Sequence, residues 1–151
     1  MNPVVTDAAD AAAIARLIPR LSRFATYQLD ANVPALSVAQ LYVLERIEEG
    51  MKRGVDLAKR ASVSAATMSG IVDRLVDAGL VRREPDRTDR RSYVLTLTDA
   101  GKAAVAAGND RLVGGLADIL CTTPAPDRAA VARACKIIER ALDARVAEVM
   151  K

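Results

Sequence analysis

"VSAATMSGIVDRLVDAGLVRREPDRTDRRSYVLTLTDAG", residues 63–101, changes its periodicity twice. From Ser64 to Ala78 the apolar residues Met68, Ile71, Val72 and Leu75 recur at helical spacing, which predicts an amphipathic helix with one buried stripe. Ser64 stands where an N-cap hydroxyl belongs, and Gly79 where a C-terminal glycine belongs. The other face of this helix carries Ala65, Ala66, Thr67, Ser69, Gly70, Asp73 and Arg74, small and polar with one long base. "LVRRE" (80–84) and "SYVLTL" (92–97) then alternate as strands do, with Tyr93, Leu95 and Leu97 sharing a face. The loop that joins them holds Arg87, Arg90 and Arg91, with Arg83 just upstream. At Thr98 the period returns to that of a helix.

Upstream, residues 10–32 place Ile14, Leu17, Ile18, Leu21, Phe24, Ala25 and Leu29 on one helical stripe, interrupted by Pro19. A proline inside a helix costs about 3 kcal/mol and bends the chain, so one kinked helix is expected. Pro34 ends it, and Ser37 caps a short helix, "VAQLYVLERIEE", closed by Gly50. A third helix is expected at Val55 to Ala61, and "SVS" (62–64) makes a turn. Downstream, Val105, Leu112, Val113, Leu116 and Ile119 continue a helix to Leu120, "TTPAPD" (122–127) breaks it, and a last helix over 126–149 carries Val131, Ala134, Cys135, Ile138, Leu142, Val146 and Val149. The two terminal regions are long relative to the body between them. Another copy of the same chain is the simplest cover for their apolar stripes.

Composition narrows the function. The chain has 151 residues, half of them hydrophobic, which fits one domain with its own core. Aromatics make up only 3%, too few for a base-stacking platform on single strands. The absence of histidine removes Ser-His and Cys-His catalytic pairs and every histidine metal site, and there is no glycine-rich phosphate loop, so an enzyme is not expected. Neither a cofactor nor a metal is expected. Cys121 and Cys135 lie fourteen residues apart, form no Cys-x-x-Cys motif, and read as reduced thiols packed as small apolar residues. No apolar run reaches membrane-spanning length, and "MNPVVTDAAD" lacks the basic start and apolar centre of a secretory signal, so a cytoplasmic protein is expected. The net charge of +3 is only mildly basic, so its placement matters more than its size.

Helix, short helix, turn, amphipathic helix and hairpin, in that order, describe a helix-turn-helix followed by a wing. The expected fold is therefore mainly α with a small β-hairpin wing. A winged helix-turn-helix DNA-binding lobe spans 37–97, and dimerisation helices occupy 10–32 and 98–150 of a single domain, 1–151. A recognition helix needs an apolar face to anchor it and a face of small polar groups to enter the major groove, and residues 64–74 offer both. Arginines on a hairpin suit the negative potential of a narrow minor groove.

These residues also carry a resemblance. The stretch is similar to the MarR family of bacterial transcription regulators. The family's wing pattern matches at Asp89, Arg91, Leu97 and Thr98. Its recognition-helix pattern matches at Ser64, Thr67, Ser69, Val72, Asp73, Arg74 and Leu75, followed by Gly79, Leu80 and Arg82. The resemblance implies a homodimer that binds a palindromic operator in double-stranded DNA, most often as a repressor, and that a small aromatic or anionic effector releases. It implies that Arg91 enters the minor groove and that Asp89 holds it there. Arg87 and Arg90 take phosphate or further groove contacts, Thr67 and Ser69 approach base edges beside Ala65, Ala66 and Gly70, and Arg74 takes a phosphate or a base. Ser37 and Ser64 offer helix N-termini to phosphate. Many relatives carry larger residues at the positions of Ala65 and Gly70, so specificity here is expected to lean on the wing and on DNA shape. Asp73 is expected to orient an arginine within the protein. Arg16, Phe24, Tyr27 and Tyr42 are the candidate effector residues. A winged-helix adaptor that binds protein rather than DNA, and a cysteine-based redox-responsive regulator, are the alternative readings.

Overall fold

A computed structural model describes residues 4–30, 35–86 and 93–149, without the side chains of 4–7, 146, 147 and 149. In chain order it comprises α1 (Val4–Asp30), α2 (Val38–Glu48), α3 (Gly54–Arg60), α4 (Ala65–Asp77), β1 (Val81–Pro85), β2 (Tyr93–Leu97), α5 (Asp99–Leu120) and α6 (Ala125–Val149). The helix-turn-helix and the wing are present where the periodicity predicts them.

The ends of the helices follow from side-chain chemistry. Ser37 and Gln40 form a reciprocal capping box on α2. The Ser64 hydroxyl accepts from the Thr67 amide at 3.0 Å and starts α4. α2, α3 and α4 all stop at a residue of positive φ: Gly50 at 100°, Ser62 at 53° and Gly79 at 70°. After each, the next amide reaches back into the last turn, as in Val63 to Ala58 and Leu80 to Leu75. Ser62 is the turn of the helix-turn-helix, and it adopts the left-handed backbone without glycine's freedom.

The core lies in the lobe. Leu41, Val43, Leu44 and Ile47 of α2, Leu57 of α3, and Met68, Val72 and Leu75 of α4 are buried against Leu80, Val81 and Leu95 at the root of the wing. Each such side chain removed from water contributes about 1.5–3 kcal/mol. From outside the lobe, Leu29 of α1, Leu36 before α2, and Ala104 and Val105 of α5 join this cluster, with Leu112 of α5 packed against it. Thr98 fastens α5 to the lobe. Its amide donates to the Leu80 carbonyl at 3.0 Å, and its hydroxyl donates to Gly79 O at 2.7 Å while accepting from the Gly101 amide at 3.0 Å. A Cβ on Gly101 would collide with the Leu80 carbonyl, so glycine is required there by close approach.

Several expectations are corrected. α1 starts at Val4 rather than residue 10 and runs continuously through Pro19. α6 starts at Ala125, with Pro126 in its first turn, where a missing amide hydrogen costs nothing because helix starts leave it unpaired. Ile71 is only half-buried, and Tyr93, at the outer end of β2, is exposed. Cys121 and Cys135 are exposed in this chain rather than packed inside it, because the described residues around them on α5 and α6 are largely exposed, although Gly115 of α5 still lies against Phe24 and Gln28 of α1. The same holds for Ile14, Leu17, Ile18 and Leu21 of α1, Val113, Leu116 and Ile119 of α5, and Val131, Ile137 and Leu142 of α6. Among the described residues, no helix is long and apolar enough to cross a membrane.

Candidate DNA-binding surface

α4 is held by its buried stripe, Met68, Val72 and Leu75, and so presents the opposite face outward. Ala65, Ala66, Thr67, Ser69 and Arg74 are exposed there, and Gly70 is half-exposed. The hydroxyls of Ser64 and Thr67 lie 2.8 Å apart, so the N-terminus of α4 offers two linked hydroxyls at one point. Arg74 forms no ion pair among the described residues. Gly70 has no atom within 4 Å of where a Cβ would stand, so packing within this chain does not demand glycine. Ser37 is exposed at the start of α2. Of the proposed wing contacts, Arg87, Asp89, Arg90 and Arg91 lie outside the described residues.

Arg83 differs from its sequence neighbours. The hairpin register pairs it with Leu95, which puts it on the inner face of the wing with Val81. There it forms an ion pair with Asp73 of α4, and its guanidinium lies over the Tyr93 ring, 5.0 Å from the centroid. The Asp73 hydrogen bond raises the Arg83 pKa from its ordinary value against the opposing effect of burial, so this guanidinium stays charged. Asp73 does orient an arginine within the protein. It also receives a long hydrogen bond from Ser69 at 3.5 Å. The acid on the polar face of α4 is thereby neutralised from the wing rather than left to repel a polyanion.

Two further ion pairs went unread in the sequence. Arg53, just before α3, reaches the buried Asp86 at the end of β1, at 2.7 Å. The neighbouring Lys52 carbonyl accepts from the Leu95 amide at 2.8 Å, so the segment before α3 lies along the free edge of β2. Arg60 at the end of α3 meets Asp143 of α6 at 2.8 Å, which ties the lobe to the last helix. An acid set among arginines in "EPDR" was the available signal for the first pair; nothing local signals the second.

The candidate effector residues do not come together. Phe24 and Tyr27 line a groove with Leu17, Arg20, Leu21 and Arg23 of α1 and Ile119 of α5. Tyr42 lines a different one, between α2 and the α3–α4 turn, with the Arg46 guanidinium 5.2 Å from its ring centroid. Arg16 is exposed and lines neither. A third cleft, of about 370 Å³, lies between Arg53, α4 and the wing. Among the described residues, no group of three or more cysteines or acids is arranged to hold a metal ion.

A model described as the MarR family matches residues 31–92, which covers the helix-turn-helix and β1 but stops short of β2. The fold agrees. Wild-type MarR from E. coli in its apo form superposes with a TM-score of 0.73 at 23% identity, over 85% of this chain and 95% of that one. Over residues 31–92 the chain is similar to the MarR family. A MarR family protein from Bacillus stearothermophilus is similar at a TM-score of 0.79 and 17% identity, over 95% of this chain and 99% of that one. Among curated proteins, the HTH-type transcriptional repressor NicR of Pseudomonas putida is 36% identical over 84 residues, 55% of this chain and 53% of its own length. The HTH-type transcriptional regulator YfiV of Bacillus subtilis is 32% identical over 75 residues, 50% of this chain and 44% of its own. The chain thus spans about half the length of the curated relatives it matches. The matched segment ends at residue 92, so α1, α5 and α6 lie outside it.

Proposed function

We propose that the protein is a homodimeric, cytoplasmic transcription regulator that binds a palindromic operator in double-stranded DNA, represses from it, and is released by a small aromatic or anionic ligand. One observation carries the reading. A helix anchored by Met68, Val72 and Leu75 exposes a face of small polar residues, and its one mid-face acid is neutralised by Arg83 from an arginine-rich wing. Such a face fits a major groove, and the wing arginines fit the adjacent minor groove.

The uncovered apolar residues of α1, α5 and α6 support association with a second copy. A two-fold dimer bearing one such lobe per chain reads two half-sites, which is why the operator is expected to be palindromic. The groove of Phe24 and Tyr27, with Arg20 and Arg23 beside it, supports an aromatic or anionic effector. An adaptor role leaves the exposed face of α4 without a use.

The test is Arg91→Ala. It is expected to weaken binding to a duplex selected by the wild-type protein, with helical content and mass unchanged. Wild-type affinity in this variant would remove the wing from the DNA interface.

A further inference from the structure

Removal of the arginines at the wing tip tests what the wing touches; it leaves open what aims the wing. The strands of a two-stranded hairpin are marginal in isolation and take their direction from what they are fastened to. Here one fastening, besides the buried Val81 and Leu95 and the Arg83–Asp73 ion pair, is a short segment ahead of α3. The Lys52 carbonyl accepts from the Leu95 amide at 2.8 Å, in the middle of β2. The next residue, Arg53, donates from Nη2 to Asp86 Oδ2 at 2.7 Å, at the far end of β1. Asp86 is the last described residue before the stretch that holds Arg87, Arg90 and Arg91, and it is 8% exposed. Among the described residues it is also the one charged residue in the buried set, and Arg53 is one of its partners.

Two consecutive residues of the helix-turn-helix thus grip both strands, one through the backbone and one through a charge-assisted bond. Arg53 also stands at the N-cap position of α3 without making a side-chain cap, so its side chain is committed to the wing rather than to its own helix. We infer that Arg53 is a positioning residue for DNA binding: its ion pair with Asp86 fixes the angle at which the wing leaves the lobe, and with it the groove that the tip arginines reach. This rests on the DNA-binding reading above. It differs from a phosphate contact, for which the exposed half of Arg53 would also serve, and the two have different consequences. A lost phosphate contact weakens every sequence alike, whereas a misaimed wing loses preference only at the base pairs the wing reads.

The experiment uses the full chain and the variants Arg53→Ala, Arg53→Lys, Asp86→Asn and the Arg53→Ala/Asp86→Asn pair. The first readout needs no DNA: limited trypsin cleavage after Arg90 and Arg91. Arg53→Ala and Asp86→Asn are expected to be cut several-fold faster than wild type, and Arg53→Lys at an intermediate rate. The second is affinity for a duplex selected by the wild type and for duplexes altered only in its outer base pairs. Asp86→Asn and Arg53→Ala are each expected to lose on the order of tenfold on the selected duplex and to stop discriminating the outer pairs, with the double variant no worse than either. Asp86→Asn is nearly isosteric and serves if Arg53→Ala fails to fold. Cleavage of Asp86→Asn at the wild-type rate would overturn the tether, whatever the DNA result. A loss confined to Arg53 variants and equal on all duplexes would make Arg53 a phosphate contact and overturn it equally. If the wild type selects no duplex while the cleavage rates rise as expected, the tether stands and the DNA-binding reading fails.

Discussion

Gly70 and Gly101 both lie inside helices, and exchanging each for alanine should move stability in opposite directions. At Gly70 an added Cβ meets no atom within 4 Å. The change therefore removes only the conformational cost of glycine in a helix, about 1 kcal/mol. At Gly101 the added Cβ meets the Leu80 carbonyl, a backbone atom that cannot swing aside. Overpacking of this kind costs about 1–3 kcal/mol. Retreat of α5 also loosens the bonds from Thr98 to Leu80 and Gly79, at about 0.5–1.5 kcal/mol each. The gain in helix propensity, about 1 kcal/mol, offsets part of this. The net expectation is a loss of about 2–3 kcal/mol for Gly101→Ala and a gain of about 1 kcal/mol for Gly70→Ala. For a chain of this length each kcal/mol shifts the melting midpoint by about 2–4 °C. Thermal unfolding at one fixed protein concentration reads both, since association makes the midpoint depend on concentration. A lowered midpoint for Gly70→Ala, or an unchanged one for Gly101→Ala, would refute the reasoning. The stabilised Gly70→Ala also decides why glycine is kept: if the α4 backbone approaches DNA closely, operator affinity falls in spite of the firmer fold.

Ser62→Gly should raise stability by about 1 kcal/mol, because a non-glycine residue in the left-handed region costs about 1–2 kcal/mol and glycine returns part of that as chain entropy; chemical denaturation measures it, and a loss would show that the Ser62 side chain contributes more than its backbone costs. Arg60→Glu and Asp143→Arg should each lower stability slightly, by under about 1 kcal/mol because the pair is partly exposed, and the double reversal should restore it; additivity of the two losses in a double-mutant cycle would show that α6 does not lean on α3 in solution. Light scattering at micromolar concentration should give twice the chain mass, and Leu17→Asp together with Leu142→Asp should halve it; a wild-type monomer would leave the apolar residues of α1, α5 and α6 to some other partner.

The lobe was legible in the sequence because its signals are local. Ser37, Ser64 and Gly79 act within one turn of their own positions, and Met68, Val72 and Leu75 announce a buried stripe by spacing alone. The role of Asp73 followed from charge: an acid beside a polyanion needs a base of its own. Which base it takes did not follow, because Arg83 and Arg74 look alike until the hairpin register turns Arg83 inward. Arg53 with Asp86 and Arg60 with Asp143 are separated by 33 and 83 positions, and only the packed fold brings them together. The early start of α1 was missed because Val4 to Asp10 form a helix ahead of the apolar stripe that begins at Ile14. The exposure of both cysteines is not legible in the sequence, because apolar character predicts burial only where a neighbouring element supplies the cover, and Cys121 and Cys135 lie where the described parts of α5 and α6 are largely exposed.

The most direct test of the account is a binding titration against duplexes selected from a random pool, at about 50 mM and about 200 mM salt. The account predicts tight binding to a palindrome, weakened by about a thousandfold or more between the two salts if the dimer neutralises about six phosphates or more. Failure to enrich any sequence, with weak binding that salt barely changes, would contradict it.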